Sequence, residues 1–462
     1  FREYLAAAVV LLVVITSGSC FGWVTPLLPR LLDPLSDFPM TPSEVSWMIA
    51  VLEIGNVLSP LFAGVLADVL GRKFFIFING PIFIITWITI AYTHSMVIVY
   101  VCRIVQGAAF GLVFTVVPLY LGEIASADVR GTVTGVFQTA FYGGMLFEYV
   151  IGPFVKAFTL TMLSLIFPVM FVLCFIWAPE SPYYFIVKEK YDRAEESLKR
   201  LRGGVTDEEV KEELETMKKN VKEEMCNKAS WMDVIGSASA RRALLIVNIA
   251  GGVKVFSGIP AILSYATQLF SYSDFVISAD TTTMIMGGTL FVSTFFSSVL
   301  TDIAGRRPLL LISSIGCALS LFIISVYLYV KDKTSYDVAH LGWIPPVFIM
   351  AYCLLLSFGI EPVSMIYRSE MFPANTRGIA ASINSLNFSI GAFLTIKFYQ
   401  VFDDLVGLYF IYFLFSMSCV VGSVLIYIYA IETKGKTLAE VQEQIARSVG
   451  GPSQSNIELT KC

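Results

Sequence analysis

Apolar stretches, each bounded by charged or turn residues, recur along the chain at roughly 5–28, 44–67, 74–93, 96–121, 131–154, 158–178, 243–271, 280–301, 308–330, 343–369, 378–402 and 406–430. An α-helix needs roughly 20 mostly apolar residues to cross a bilayer, so the pattern predicts twelve transmembrane helices. They fall as six, a gap and six. In the gap, Glu and Lys alternate through Asp207–Glu224 at helical spacing, which predicts a solvated helical linker. The expected architecture is an all-α membrane protein: a six-helix bundle over 1–178, a linker over 179–242, a second bundle over 243–431 and a tail over 432–462.

Composition agrees. Hydrophobic residues make up 56% of the 462 and charged residues only 15%, with a mean hydropathy of +0.73, so a bilayer is the solvent this chain needs. The first segment is too long for a signal-peptide core, and because the chain starts at Phe1 a preceding N-terminal piece is expected. Lys and Arg gather at alternate loops: Arg72-Lys73, Arg130, Arg241-Arg242, Arg306-Arg307, Arg377 and Lys434 to Lys436 share one side with the linker. By the positive-inside bias that side is cytoplasmic, so both termini are expected there.

The net charge of −4 and the absence of a basic patch interleaved with aromatics argue against nucleic acid as a partner. Six of eight cysteines fall inside apolar segments, which is no disulfide framework. His94 and His340 stand apart, so neither a metal nor another cofactor is expected. No phosphate-binding glycine loop or nucleophile elbow points to an enzyme.

An internal repeat organises the chain. Asp68-Val69-Leu70-Gly71-Arg72-Lys73 follows the second segment, and Asp302-Ile303-Ala304-Gly305-Arg306-Arg307 follows the eighth. Glu123 closes the fourth segment with Arg130-Gly131 after it, and Glu370 closes the tenth with Arg377-Gly378 after it. Parallel six-helix repeats around a central axis are how many secondary carriers are built, with the solute site between the halves. A carboxylate and a guanidinium at the membrane edge form charge-assisted hydrogen bonds, and neighbouring glycines let helix ends approach closely.

These motifs, with Arg103, Gly107, Gly111, Pro118, Tyr120, Pro179-Glu180-Ser181-Pro182, Ser257-Gly258-Ile259, Ser369-Glu370-Met371-Phe372-Pro373 and Glu432-Thr433-Lys434-Gly435, stand in the order found in sugar porters. The chain resembles the sugar porter family of the major facilitator superfamily over 5–445, and within it the facilitated trehalose transporters of insects. The resemblance implies alternating access between two bundles, a small-molecule solute such as a sugar, a monomer and the plasma membrane. It also assigns Asp68, Gly71, Arg72, Glu123, Arg130, Glu180, Asp302, Gly305, Arg306, Glu370 and Arg377 to a cytoplasmic gate.

The solute site departs from the family. Gln138 falls where sugar porters place a sugar-contacting glutamine. On the seventh helix the family's Gln-Gln-x-Ser-Gly-x-Asn reads Lys254-Val255-Phe256-Ser257-Gly258-Ile259-Pro260, and on the tenth Gly-Pro-x-Pro-Trp reads Glu361-Pro362-Val363-Ser364-Met365. On the eleventh the family's Asn-Trp falls on Phe388-Ser389, one residue after Asn387. The candidate solute-binding set is Gln138, Lys254, Ser257, Tyr265, Glu361 and Asn387, with Lys254 and Glu361 expected to pair and offset each other's burial.

Where proton-coupled relatives carry an aspartate in the first helix, this chain has Val24. That favours facilitated diffusion, although Glu53, Glu148 and Glu361 all sit in apolar segments where a carboxyl can titrate. Two alternatives stay open: a carrier of a different or charged small solute, coupled to protons, and a non-transporting sensor on the same fold.

Overall fold

The structure is a computed structural model that describes residues 2–36, 38–126, 130–203, 206–226, 231–273, 275–372, 374–436 and 438–448; side chains at 61–66, 68, 130–134, 220, 223–226, 231–233, 298–299, 302, 339, 374–375, 377 and 438–439 lie outside the description. The first bundle contains six spans: α1 (Arg2–Gly22) with α2 (Val24–Leu31), α3 (Pro42–Leu70), α4 (Arg72–Tyr92), α5 (Met96–Ile124), α6 (Arg130–Ile151), and α7 (Ala157–Ser164) with α8 (Ile166–Phe175). Four helices follow: α9 (Pro182–Val187), α10 (Tyr191–Arg202), α11 (Asp207–Cys226) and α12 (Trp231–Gly236). The second bundle comprises α13 (Ala238–Phe256) with α14 (Ile259–Tyr272), α15 (Ala279–Ala304), α16 (Arg306–Lys333), α17 (Ile344–Leu355) with α18 (Glu361–Glu370), α19 (Ala374–Leu405) and α20 (Leu408–Tyr429), and α21 (Leu438–Ser448) lies in the tail.

Among the described residues, nine of these spans are long and apolar enough by length and composition alone to cross a membrane. Helices are the form such segments take because lipid offers no partner for a free backbone group. Apolar side chains such as Ile85, Leu173, Ile312 and Val421 are more than half exposed, as the lipid-facing wall of a bundle requires.

The spans are less regular than their hydropathy suggests. The seventh segment breaks at Ser257 and Gly258: Gly258 has φ +87°, a conformation that favours glycine, and Pro260 brings no N–H to the new helix. The tenth contains a π-helical turn over Leu356–Ile360, because Pro362 has no N–H for the carbonyl four residues back and the helix widens around the gap.

Within the first bundle, helices cross at glycine. A Cβ on Gly18 would collide with the Phe141 carbonyl and one on Gly144 with that of Ile15, which fixes α1 against α6. Gly55 and Gly107 do the same for α3 and α5, against Ile104 and Leu52. Such small-residue crossings are how membrane helices gain van der Waals contact where no hydrophobic drive acts between them.

The hydrophilic gap is helical, as its charge spacing predicts, and it divides. α9, α10 and α11 share a small core of Ile186, Ala194, Leu198, Val210, Leu214 and Val221 and lie against the first bundle, whereas α12 packs on α13 and α19 of the second. Arg202 anchors the first group, reaching Glu213 at 2.6 Å, Glu3 at 2.7 Å and the Ile124 carbonyl at 2.8 Å.

Candidate functional site

At the linker end of each bundle the repeated motifs build matching clusters. In the first, the Arg72 guanidinium meets Glu123 at 3.2 Å and donates to the Ala67 carbonyl at 3.2 Å. Glu180 accepts the backbone N–H groups of Lys73 and Ser181, each at 2.9 Å, and Ser181 donates to Glu123. In the second, Arg306 meets Glu370 at 3.4 Å, Glu432 accepts the backbone N–H groups of Arg306 and Arg307 at 3.0 Å, and Thr433 donates to Glu370. Glu432 thus does for the second bundle what Glu180 does for the first, a correspondence that the sequence motifs leave unstated. The helix joints beside these carboxylates are Gly71 at φ +103° and Gly305 at φ +84°. The side chains of Asp68, Arg130, Asp302 and Arg377, expected in the same gate, lie outside the described residues.

The two carboxylates sit in different electrostatic surroundings. Burial pushes the Glu180 carboxyl above its ordinary value against the pull of its N–H donors and of Arg72 and Lys73. Burial also acts to raise Glu432, but the backbone N–H groups of Lys434, Arg306, Arg307 and Thr433 outweigh it and leave that carboxyl below the ordinary value.

Midway along the spans, the charges introduced on the seventh and tenth helices meet. Lys254 Nζ lies 2.8 Å from Glu361 Oε1, with side chains only 10% and 4% exposed. The other oxygen, Oε2, accepts the Tyr142 hydroxyl of α6 at 2.8 Å, so one carboxylate joins both bundles. Gln138 lies one helical turn before Tyr142 and faces its hydroxyl, and the Gln138 Oε1 is buried without a hydrogen-bond partner. Lys254 also sits over the Phe388 ring at 5.4 Å.

The remaining candidates go elsewhere. Ser257 donates to the Lys254 carbonyl at 2.7 Å and shares a 2.8 Å hydrogen bond with Tyr352, stabilising the helix break. Tyr265 stacks on Tyr399 with ring centroids 4.4 Å apart, within the second bundle. Asn387 donates to Asn248 of α13 at 2.8 Å, and both line a cavity of about 290 Å³ with Asn384, Phe256 and Phe388. Periodicity alone gives no signal for Tyr142, because its partner is 219 positions away in sequence.

Further contacts tie the bundles from mid-span to the end away from the linker. Thr139 donates to Thr294 at 3.0 Å, and Thr25 and Tyr149 donate to the Leu263 carbonyl at 3.0 and 2.9 Å. Lys397 reaches Ser46 at 3.4 Å and lies 4.2 Å from the Trp47 ring. Inside the first bundle, Arg103 is buried and donates to the Cys20 carbonyl at 2.8 Å and to Gln106 at 3.2 Å, while Glu148 accepts from Ser164 at 2.7 Å and from Ser19. Val24 is buried and presents no carboxylate.

Two similar bundles, duplicated edge motifs and a polar group between them are the design of a secondary carrier. The model of the sugar (and other) transporter family matches residues 12–445. The chain belongs to that family. It is 30% identical over 97% of its length to a facilitated trehalose transporter of Culex quinquefasciatus, covering 87% of that protein. It is 29% identical over 96% of its length to the facilitated trehalose transporter of Drosophila willistoni, of which it covers 51%; against most of the curated relatives it matches, the chain spans about half their length. Among solved structures it resembles the xylose transporter XylE from E. coli in its inward open conformation, with TM-score 0.78, 19% identity and coverage of 95% of this chain and 99% of that one. A structure of the D-xylose-proton symporter superposes with TM-score 0.71 at 20% identity, covering 94% of this chain and 98% of that one. The two-bundle fold of this chain is the one seen in those xylose transporter structures.

Proposed function

We propose that this chain carries a sugar across a membrane by facilitated diffusion, with trehalose or a hexose as the solute and the two bundles rocking about a site between them. The observation that carries the reading is the unpaired Gln138 Oε1, buried beside Tyr142 and Glu361 at the bundle interface. A buried acceptor without a donor is costly, and a solute hydroxyl is the group that would satisfy it. The names of the relatives point to the same class of solute. Val24 stands where proton-coupled relatives carry an aspartate, which supports uniport over proton coupling.

The contacts of Thr25, Tyr149, Ser46 and Lys397 favour a shape closed at the end away from the linker and ready to open at the linker end. The clustering of Lys and Arg favours a cytoplasmic linker and termini. The test is uptake of labelled trehalose and glucose into proteoliposomes, with Gln138→Ala as the site variant.

A second reading, a carrier of an anionic solute, draws on Arg368. It lies seven residues after Glu361, hence on the same face of α18, and among the described residues it has no carboxylate partner. Uptake of small anions in place of sugars would select that reading.

A further inference from the structure

Among the described residues, Glu361 is the one carboxylate found to hold groups of both bundles: the Lys254 ammonium as an ion pair at 2.8 Å from its own bundle and the Tyr142 hydroxyl as a hydrogen-bond donor at 2.8 Å from the other. A buried carboxylate tolerates its surroundings only while its oxygens are satisfied. Parting the bundles with the site empty removes the Tyr142 donor and leaves Oε2 short. A solute hydroxyl placed beside Gln138 can take over that donation, after which the bundles separate without exposing an unsatisfied carboxylate.

We propose that Tyr142 and Glu361 form a solute-exchangeable tie between the bundles, in which a solute hydroxyl replaces Tyr142 on Glu361 Oε2 and so couples occupancy to the opening of the carrier. The inference rests on the sugar-carrier reading above and gives it a chemical requirement. The solute must bring two hydroxyl donors, one for Glu361 and one for Gln138 Oε1, because both protein atoms are acceptors. A polyol or sugar meets that requirement; a solute that offers only acceptors does not. The tie also gives the lost family amides a replacement: a carboxylate accepts more strongly than an amide, and its ion pair with Lys254 keeps the negative charge affordable in the bundle interior.

Tyr142 acts on transport through Glu361 as a positioning residue, and its variant has a distinctive signature. Tyr142→Phe keeps the ring, which packs edge-on to Phe141 at 5.6 Å, and removes the hydroxyl that donates to Glu361 and faces Gln138. The experiment measures labelled trehalose and glucose fluxes in proteoliposomes, into empty vesicles for net flux and into preloaded vesicles for exchange. The parent should exchange about tenfold faster than it performs net flux, because its empty form returns slowly. Tyr142→Phe should raise net flux about tenfold, as expected for one hydrogen bond to a charged group, and bring the ratio close to one. An unchanged ratio in the variant, a parent ratio already near one, or equal loss of both fluxes in a folded variant overturns the tie.

A parent that moves no sugar in either mode defeats the sugar reading instead. The tie is then tested without solute, by spin-label distances between Leu35→Cys and Val276→Cys, which lie on exposed loops of the two bundles. Tyr142→Phe should shift that distribution toward longer distances, and an identical distribution overturns the proposal.

Discussion

Lys254 on the seventh span and Glu361 on the tenth hold each other at 2.8 Å, almost fully out of solvent, at positions where sugar porters carry uncharged residues. Two substitutions that would each place a lone charge in the bundle interior are compatible because they arrive together. Breaking a buried pair by removing one partner typically costs about 3–5 kcal/mol. Lys254→Met and Glu361→Met should therefore each lower the melting temperature in detergent sharply. The double variant, with no charge left to bury, should recover most of the loss, and equal melting of single and double variants would show that the pair is not coupled.

The joints at Gly71 and Gly305 both require positive φ, which costs a residue with a side chain about 1–3 kcal/mol. They differ in space: a Cβ on Gly71 would stand 2.5 Å from a Glu180 oxygen, and one on Gly305 would stand 3.0 Å from a Glu432 oxygen. Gly71→Ala should be the more destabilising of the two, read as the larger drop in melting temperature. The reverse order would contradict the description of the first cluster.

The two edge carboxylates should titrate in a fixed order. Glu180 is held above the ordinary glutamate value by burial, so its ionised form opposes folding; its contribution is fully present below the unfolded value and fades as pH rises through the folded one. Glu432 is held below that value by its N–H donors, so its contribution is present above the unfolded value and is lost as pH falls through the folded one. On acidification, isotope-edited infrared spectra should show protonation of Glu180 before the ordinary value is reached and of Glu432 only after it. Glu180→Gln should remove the earlier band and Glu432→Gln the later one.

Much of this was legible in the sequence, for identifiable reasons. The Arg72–Glu123 and Arg306–Glu370 pairs announce themselves because charge next to glycine at a membrane edge has few alternative uses. The Lys254–Glu361 pair was legible because two opposite charges in apolar helices need each other. Tyr142 was not, since a tyrosine in an apolar helix has many uses and its partner lies in the other bundle. Ser257 and Tyr265 share a broken span with Lys254, yet Ser257 bonds Tyr352 and the Tyr265 ring stacks on Tyr399. A hydropathy profile sees apolar residues on both sides of that break and reports one helix.

Arg202 fastens the linker to the first bundle through Glu213, Glu3 and the Ile124 carbonyl. Arg202→Ala should release α10 and α11 as a unit, seen as faster amide hydrogen exchange over 191–226 with exchange in the membrane spans unchanged. Unaltered exchange in α11 would mean that its apolar core with α9 suffices to hold it.

The most direct test of the account is labelled sugar uptake into proteoliposomes containing the purified chain, with and without an inward proton gradient, beside Gln138→Ala. The account predicts saturable uptake of trehalose or a hexose that is indifferent to the gradient and collapses in the variant. Absence of sugar uptake by folded protein, or uptake driven strongly by the proton gradient, would contradict it.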